Sequence, residues 1–268
     1  MSAGYGHSLP AAGYSESGEF AVVDRLVTEP AIKVTLRLPG TWQHPGELIE
    51  RLPEGCRLTA NELILKSGLR FEFNALDADE DFPRVFAESC PKLPTEEERD
   101  QIENYTVNVC LTGPGGSLET AHNLMQAAAA IIGAGAAGVF VDNSGISHGA
   151  TDWLTLTADR QNGGVYWAFV TTVQNDDELY SMGMHILGFR EAVIPRTGNE
   201  EYDFRTLHSF LGYSYASGAV IKDGDVVGDT ILPTFRVYRE PHDRLPPGTP
   251  MSNPFGQWRL KRYHFENN

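Results

Sequence analysis

The sequence predicts an α+β fold built from ferredoxin-like βαβ units, with a mixed or antiparallel sheet and helices packed on one face. Three observations support this class. The elements of the first half follow the order β-α-β-β-α-β. A long amphipathic pattern covers residues 117–132, and a nearly continuous apolar run follows it at 136–142. Two packed halves and one continuous sheet both satisfy these patterns.

In the first half, alternating apolar and polar residues predict a strand at 32–38. Pro45 is typical of a helix start, and Gly55 follows the end of that short helix. A hairpin is expected across Ser67-Gly68, between segments 57–66 and 69–79. Thr95 and Glu98 have capping-box spacing and predict a helix start, and a further strand is expected at 105–113.

In the second half, Ser117 is a candidate N-cap for the helix at 117–132, and Gly133 suits its C-terminal end. The run 136–142 predicts a central strand covered on both faces. The remaining predicted elements are a helix at 150–161 ended by Asn162-Gly163-Gly164, paired strands at 165–173 and 179–189, a helix at 201–216 and a closing edge strand at 258–265.

These elements divide the 268 residues into four predicted segments. They are a disordered tail at 1–20, an N-terminal α+β half at 21–104, a C-terminal α+β half at 105–240, and a Pro-rich segment with the closing strand at 241–268. No apolar run approaches the roughly 20 residues that span a bilayer, and the N-terminus lacks the pattern of a secretory signal. We therefore expect a cytoplasmic protein.

Charge and cysteine content exclude several classes of function. The formal net charge is −15, which disfavours nucleic acid and anionic membrane surfaces as partners. Cys56, Cys90 and Cys110 lie far apart without C-x-x-C spacing, which argues against a disulfide framework and a zinc knuckle. We expect no cofactor, and a protein partner, a small ligand or a second copy of the chain all remain open.

Two glycine patterns invite a nucleotide-binding interpretation. Gly133, Gly135 and Gly138 form a G-x-G-x-x-G sequence, but they leave a helix and enter a strand, opposite to the order that places a pyrophosphate at a helix N-terminus. They are therefore interpreted as a helix C-cap with close packing. The loop Gly113, Gly115, Gly116 and Ser117 does join a strand to a helix, and it is the candidate anion-binding site.

The sequence Gly145-Ile-Ser-His-Gly149 matches the G-x-S-x-G of a serine hydrolase. Ser147 is then the candidate nucleophile, His185 or His208 is the candidate base, and Asp177 or Asp203 could supply the carboxylate. His148 is a further candidate catalytic residue. An elbow turns directly from its strand, whereas residues 142–144 intervene here. A glycine-rich turn is the alternative interpretation.

A metal site is the other chemical hypothesis for this region. Asp142, His148 and Asp152 lie close in sequence, and His148 and Asp152 share a helix face if the helix starts early. No H-E-x-x-H or similar ligand spacing supports them, so the default prediction is no metal.

The second half resembles a known bacterial family. The order of segments is GVFVDNSGISHGATDW (138–153), VYWAFVTTV, a Met-Gly-x-x-x-Leu-Gly-x-x-Glu stretch (182–191) and a Gly-Asp-x-x-Gly-Asp end. In this order it resembles the bacterial domain of unknown function 4261 over about residues 105–231. The resemblance implies no activity and no site residues, although it directs attention to His148 within the shared turn.

Two functions remain open from the sequence. The first is a non-enzymatic binding or interaction module, with Trp42 and Trp258 as possible exposed contacts. The second is a hydrolase or small-ligand enzyme that uses the cluster Asp142-Ser147-His148-Asp152. A pocket where these residues converge with His185 or His208 favours chemistry, and their separation favours binding.

Overall fold

The fold was analysed in a computed structural model of the chain, which describes residues 32–159, 162–217, 220–228 and 234–263. The tail predicted at 1–20 lies outside the described residues. All described residues belong to one compact unit, Ala31–Asn268. Within these described ranges, no helix is long and apolar enough to cross a membrane.

The first sheet has seven strands, and every pairing in it is antiparallel. Its strand order is β2-β3-β4-β5-β1-β6-β7. The strands are β1 (Lys33–Gly40), β2 (Arg57–Leu58), β3 (Glu62–Ile64), β4 (Arg70–Asp77), β5 (Val107–Pro114), β6 (Gly138–Val141) and β7 (Ile146–Gly149). Strand β7 is thus an edge strand of this sheet.

The second sheet has six strands in the order β11-β12-β13-β10-β9-β8. Its strands are β8 (Thr171–Gln174), β9 (Glu178–Met182), β10 (Glu191–Pro195), β11 (Val226–Val227), β12 (Phe235–Glu240) and β13 (Gln257–Arg262). The pairing of β10 with β13 is parallel and the others are antiparallel, so this sheet is mixed. Strand β8 is an edge strand here.

Seven α-helices and one 3₁₀ helix are present among the described residues. They are α1 (Pro45–Arg51), α2 (Phe82–Glu88), α3 (Glu96–Glu103), α4 (Leu118–Gly133), α5 (Ala150–Ala158), α6 (Asn162–Phe169), α7 (Glu200–Ala216) and the 3₁₀ helix Met184–Leu187. Helix α4 packs on β1 and β5 of the first sheet, and α7 packs on β9 and β10 of the second. One hydrophobic core contains residues of both sheets and of these two helices.

Several predictions from the sequence are confirmed. Strands β3 and β4 pair across the predicted Ser67-Gly68 turn. Thr95 and Glu98 form the predicted capping box at the start of α3. Ser117 caps α4 by accepting a hydrogen bond from the Thr120 amide. The α+β class is therefore confirmed in its coarse form.

Other predictions are wrong, each for a physical reason. The strand predicted from residue 165 is helical up to Phe169, because Gly163 and Gly164 lie within α6 rather than ending α5. A Cβ at Gly164 would lie 2.2 Å from the Leu156 carbonyl oxygen, so glycine allows α6 to approach α5 closely. The closing strand β13 is not an edge strand, because it lies between β10 and β12.

The first sheet also crosses the predicted boundary between the halves at residue 104. Strand β5 belongs by sequence to the second half, yet it lies between β4 and β1 of the first half. Residues of the two halves therefore alternate within one sheet.

Candidate functional site

A cavity of about 450 Å³ lies where the edge strands β7 and β8 come together with α5, α6 and α7. Its volume falls in the range of about 300–1,000 Å³ that is typical of ligand sites. The lining residues are Pro91, Ile146, His148, Asp152, Leu156, Trp167, Val170, Thr171, Thr172, Gln174, Leu179, Phe204 and His208. Both edge strands thus contribute to one concave surface.

His148 and Asp152 form a hydrogen-bonded pair at one end of the cavity. His148 lies in β7, two residues before α5 begins. Its Nδ1 lies 2.8 Å from Asp152 Oδ2. Lys92 Nζ donates to the other carboxylate oxygen of Asp152 at 3.1 Å. The hydrogen bond from His148 is the main reason that the pKa of Asp152 lies below its usual value. The Nε2 of His148 is buried and has no hydrogen-bond partner among the described residues.

His208 lies on α7 at the other end of the cavity. Its Nδ1 lies 2.6 Å from the Tyr166 hydroxyl, and its Nε2 lies 3.0 Å from Thr172 Oγ1. Burial lowers the pKa of His208 from 6.5 to about 4, because the protein replaces the water that would solvate an imidazolium. The ring is therefore neutral at pH 7, and it ties α6 and α7 to the edge strand β8.

Aromatic rings flank His208 and form one wall of the cavity. The Trp167 ring is stacked on His208 with centroids 4.9 Å apart, and the Phe204 ring centroid lies 3.9 Å from that of His208. Trp167 and Phe204 are each 45% exposed. A large, partly exposed aromatic pair beside a concave surface is typical of a recognition site, since it offers apolar area at low entropic cost.

Strand β8 presents unpaired backbone groups beside this wall. The Asn175 amide donates to the Glu178 carbonyl at the β8–β9 turn. Because antiparallel pairs alternate between hydrogen-bonded and non-hydrogen-bonded positions, Thr172 and Gln174 direct their N–H and C=O groups away from β9. These groups make no hydrogen bond to another described element. An edge of this kind is able to pair with an additional strand.

Ser147 does not occupy the strand-to-helix turn of a nucleophile elbow, and its role as a nucleophile stays a prediction. It lies within β7, which pairs with β6 in a hairpin. Its hydroxyl is fully buried and donates to the Phe86 carbonyl at 2.6 Å, and it also lies 3.1 Å from Cys90 Sγ. Burial raises the pKa of the Cys90 thiol, which therefore offers no activated nucleophile nearby.

Asp142 is separated from the other two metal candidates. It accepts a hydrogen bond from Arg37 Nε at 2.7 Å, in an ion pair across the β1–β6 pairing. Burial raises the pKa of Asp142 more than Arg37 lowers it. Within the described ranges, no group of three His, Cys, Asp or Glu residues is placed to hold a metal. Of the predicted cluster, only His148 and Asp152 meet.

His185 lies outside the cavity, in a buried network of its own. Its Nε2 donates to the Pro250 carbonyl at 3.0 Å, and its Nδ1 lies 3.5 Å from Glu191 Oε1. Glu191 also accepts hydrogen bonds from Ser181 and Asn253. His185 therefore anchors the Pro-rich segment to the second sheet, and it bonds to neither Ser147 nor His148.

Two amides of the candidate anion-binding loop make hydrogen bonds within the protein. The Gly115 amide donates to the Ile32 carbonyl and the Gly116 amide donates to the Ile186 carbonyl, while the Gly113 position pairs with Val34 in the sheet. The Ser117 hydroxyl is used in capping α4. These contacts use part of the loop, and an anion site at Gly113, Gly115, Gly116 and Ser117 stays a prediction.

The C-cap interpretation of Gly133, Gly135 and Gly138 is confirmed. Helix α4 ends at Gly133, and Gly135 follows with a φ of 112°. A Cβ at Gly138 would lie 2.6 Å from the His148 carbonyl oxygen and 2.7 Å from Phe86 Cζ. The glycines at these positions therefore allow close packing at the end of α4 and between β6 and its neighbours.

The two tryptophans proposed as exposed contacts are buried instead. Trp42 donates from Nε1 to the Ala134 carbonyl at 2.8 Å, and Trp258 packs beneath the Arg190 guanidinium. The exposed aromatics of the cavity, Trp167 and Phe204, were missed. The sequence places Trp167 in the strand predicted at 165–173, whereas the structure places it in α6, where its ring stacks on His208.

Comparisons with protein-family models, curated proteins and solved structures give no match for this chain. The resemblance of residues 105–231 to the domain of unknown function 4261 therefore stays a prediction. A functional assignment accordingly depends on the geometry of the cavity between β7 and β8.

Proposed function

We propose that this protein is a non-enzymatic recognition module, and that the cavity between β7 and β8 binds an extended segment of a partner protein. The observation that carries the proposal is the aromatic wall of Trp167 and Phe204 beside the unpaired edge of β8. Main-chain pairing with the edge provides affinity, and the cavity selects a side chain.

Binding is favoured over catalysis by how the polar groups are used. Ser147 is buried and donates to Phe86, and Asp142 is paired with Arg37. His208 is neutral and fixed by two hydroxyl groups. The predicted catalytic residues thus do not converge, which is the outcome expected of a binding module.

The occupant is an extended peptide with an aromatic or aliphatic side chain. The cavity lining is mainly apolar, and it includes Leu156, Val170 and Leu179 in addition to the two exposed rings. The formal charge of −15 favours a partner segment that is neutral or basic. Its backbone would pair with the outward N–H and C=O groups of Thr172 and Gln174.

Selection from a displayed library of random decapeptides tests this proposal. We expect enriched sequences with one large apolar side chain among neutral or basic residues. Trp167→Ala is expected to weaken a selected peptide about thirtyfold or more, the loss typical when an aromatic hot spot is truncated. Tyr213→Ala is the matched control, since Tyr213 lies on α7, is 50% exposed and does not line the cavity.

The proposal fails if no peptide is enriched over an unrelated acidic protein. It also fails if Trp167→Ala and Tyr213→Ala bind a selected peptide equally well. Circular dichroism of both variants shows whether either change disturbs the fold.

A second candidate function is supported by the unpartnered Nε2 of His148. Asp152 holds the other ring nitrogen, an arrangement that orients a histidine as a general base toward a bound small ligand. The test is hydrolysis of p-nitrophenyl acetate. Activity that is lost in His148→Ala and retained in Ser147→Ala would favour this candidate, and equal rates in both variants and the wild type would remove it.

We also propose that the central strands form a ferredoxin-like unit. Strands β1, β4, β5 and β6 appear in the sheet order β4-β5-β1-β6, which is the order 2-3-1-4 when they are counted along the chain. This order and the antiparallel pairings support a pair of split βαβ units, with α2 and α3 inserted between the second and third strands.

Membership of residues 105–231 in the domain of unknown function 4261 remains a proposal, supported by the order of the sequence segments. We further propose a reducing, cytoplasmic location, which is supported by the free thiols of Cys56, Cys90 and Cys110. A homo-oligomer remains open, because the edge of β8 could also pair with a second copy of the chain.

A further inference from the structure

A second cavity, of about 220 Å³, is lined by residues of α7, of β13 and of the segment before β10. It is smaller than most ligand sites and has room for about one ring. The side chains that line it are Phe189, Arg190, Ser214, Ile221, Phe255 and Trp258. None of these residues lines the first cavity.

Arg190 carries a positive charge that has no anionic partner within the described residues. It makes no ion pair there, and its guanidinium carbon lies 5.1 Å from the centroid of the Trp258 ring. Gly256 leaves space for it, since a Cβ at that position would lie 2.9 Å from Arg190 Nη1. Burial, and secondarily the charge of Arg239, lower the pKa of Arg190.

Ser214 provides a second polar group in the same cavity. It is only 7% exposed, yet its hydroxyl makes no hydrogen bond to any described residue. A buried helical hydroxyl can bond to the preceding turn, as that of Thr157 does to the Trp153 carbonyl at 2.8 Å, but within the described ranges no such bond is formed by Ser214. An unused hydroxyl that lines a cavity beside an unpaired arginine is available to donate to an anion.

We propose that this cavity binds a small aromatic monocarboxylate, with the carboxylate on Arg190 and Ser214 and the ring among Phe189, Phe255 and Trp258. One arginine and one hydroxyl match a planar monoanion, because the guanidinium fork pairs with both carboxylate oxygens. The apolar lining requires a flat hydrocarbon body. This inference is independent of peptide binding at the first cavity.

Isothermal titration with phenylacetate tests the proposal on the full chain. Benzyl alcohol has the ring without the charge, and inorganic phosphate has charge without the ring. We expect phenylacetate to bind at least tenfold more tightly than either comparator, because only it uses both halves of the cavity. A hydrogen bond to a charged group usually contributes enough free energy to raise the affinity at least tenfold.

Variants then assign the contact to specific residues. Arg190→Gln is expected to weaken phenylacetate tenfold to a hundredfold, and Arg190→Lys less, because lysine keeps the charge without the fork. Ser214→Ala is expected to weaken it a few-fold. Arg99→Gln is the matched control, an exposed arginine on α3 whose loss should leave the affinity unchanged.

The proposal is overturned if phenylacetate does not bind at about 10 mM, a concentration that detects even millimolar affinity. It is equally overturned if benzyl alcohol or phosphate binds as well as phenylacetate, or if Arg190→Gln binds it like the wild type. Circular dichroism verifies that each variant is folded. If Arg190→Gln does not fold, the affinity of Arg190→Lys for phenylacetate serves as the test.

Discussion

The buried carboxylate of Glu191 is expected to be one of the most stabilising polar groups in this fold. It accepts hydrogen bonds from Ser181 Oγ at 2.7 Å, from the Gly183 amide at 3.1 Å and from Asn253 Nδ2 at 2.9 Å. His185 lies on its other side. Through Asn253 and the Pro250 contact of His185, the network fastens the Pro-rich segment to the second sheet.

Glu191→Ala removes the acceptor and leaves these donors buried without a partner. Breaking a buried charged pair from one side costs about 3–5 kcal/mol, and each stranded donor alone costs about 1–3 kcal/mol. We therefore expect a loss of about 3–5 kcal/mol in the free energy of unfolding, a large part of the roughly 5–15 kcal/mol of a typical domain. Urea denaturation followed by circular dichroism measures it.

Glu72→Ala is the matched control, because Glu72 pairs with Lys33 while both side chains are about two-thirds exposed. Such surface pairs contribute about 0–1 kcal/mol. A loss below about 1 kcal/mol for Glu191→Ala, similar to that of the control, would refute the reasoning from burial and unpaired donors.

The same network gives a pH dependence whose sign is fixed by Glu191. Burial raises its pKa, but His185 and the donors Ser181 and Asn253 outweigh burial and hold the pKa below the ordinary 4.5. The contribution of Glu191 is then present above pH 4.5 and is lost as the pH falls through the lower, folded pKa. Wild type should lose more stability than Glu191→Gln in that range.

Three further predictions concern the surroundings of the first cavity. His208 is expected to titrate near pH 4 in an NMR titration, and a midpoint near 6.5 would contradict this. The free energy of unfolding should fall as the pH drops from 6.5 toward 4, because the unfolded state binds a proton at His208 more readily than the folded state does. Gly138→Ala should lower the free energy of unfolding by about 1–3 kcal/mol, because its Cβ would clash with the His148 carbonyl. Gly212→Ala, with open space around it in α7, should raise the free energy of unfolding by about 0.5–1 kcal/mol. A change of the same sign in both variants would be inconsistent with the packing. A fluorophosphonate probe should leave Ser147 unlabelled in the folded protein, as mass spectrometry of the digested chain will show, and stoichiometric labelling would restore the hydrolase hypothesis.

Local signals in the sequence predicted many elements of the fold because their causes are local. The capping box of Thr95 and Glu98, the hairpin at Ser67-Gly68 and the cap at Ser117 each depend on residues a few positions apart. The pairing of β5 between β4 and β1 depends on tertiary contacts. This pairing leaves no periodic pattern in the sequence. The sequence therefore predicts two halves that meet at residue 104 and does not predict that they share a sheet.

The candidate site was predictable only in part for the same reason. The spacing of His148 and Asp152 predicts a shared helix face if the helix starts early. The structure brings the two side chains together at 2.8 Å, although His148 lies in β7 and α5 starts at Ala150. The wall of Trp167 and Phe204 forms because residues up to Phe169 are helical, and Gly164 permits that helix to pack closely against Leu156 of α5. Glycines that favour a turn in isolation here permit helix packing, and sequence propensity alone does not separate these outcomes.

The most direct test of peptide recognition is an NMR map of the backbone amides when a selected decapeptide is added. Our account predicts the largest shifts at Thr172 and Gln174, together with the indole N–H of Trp167, and new protection of the two amides from hydrogen exchange. Shifts confined to other surfaces, with the β8 amides unchanged, would contradict binding at this edge.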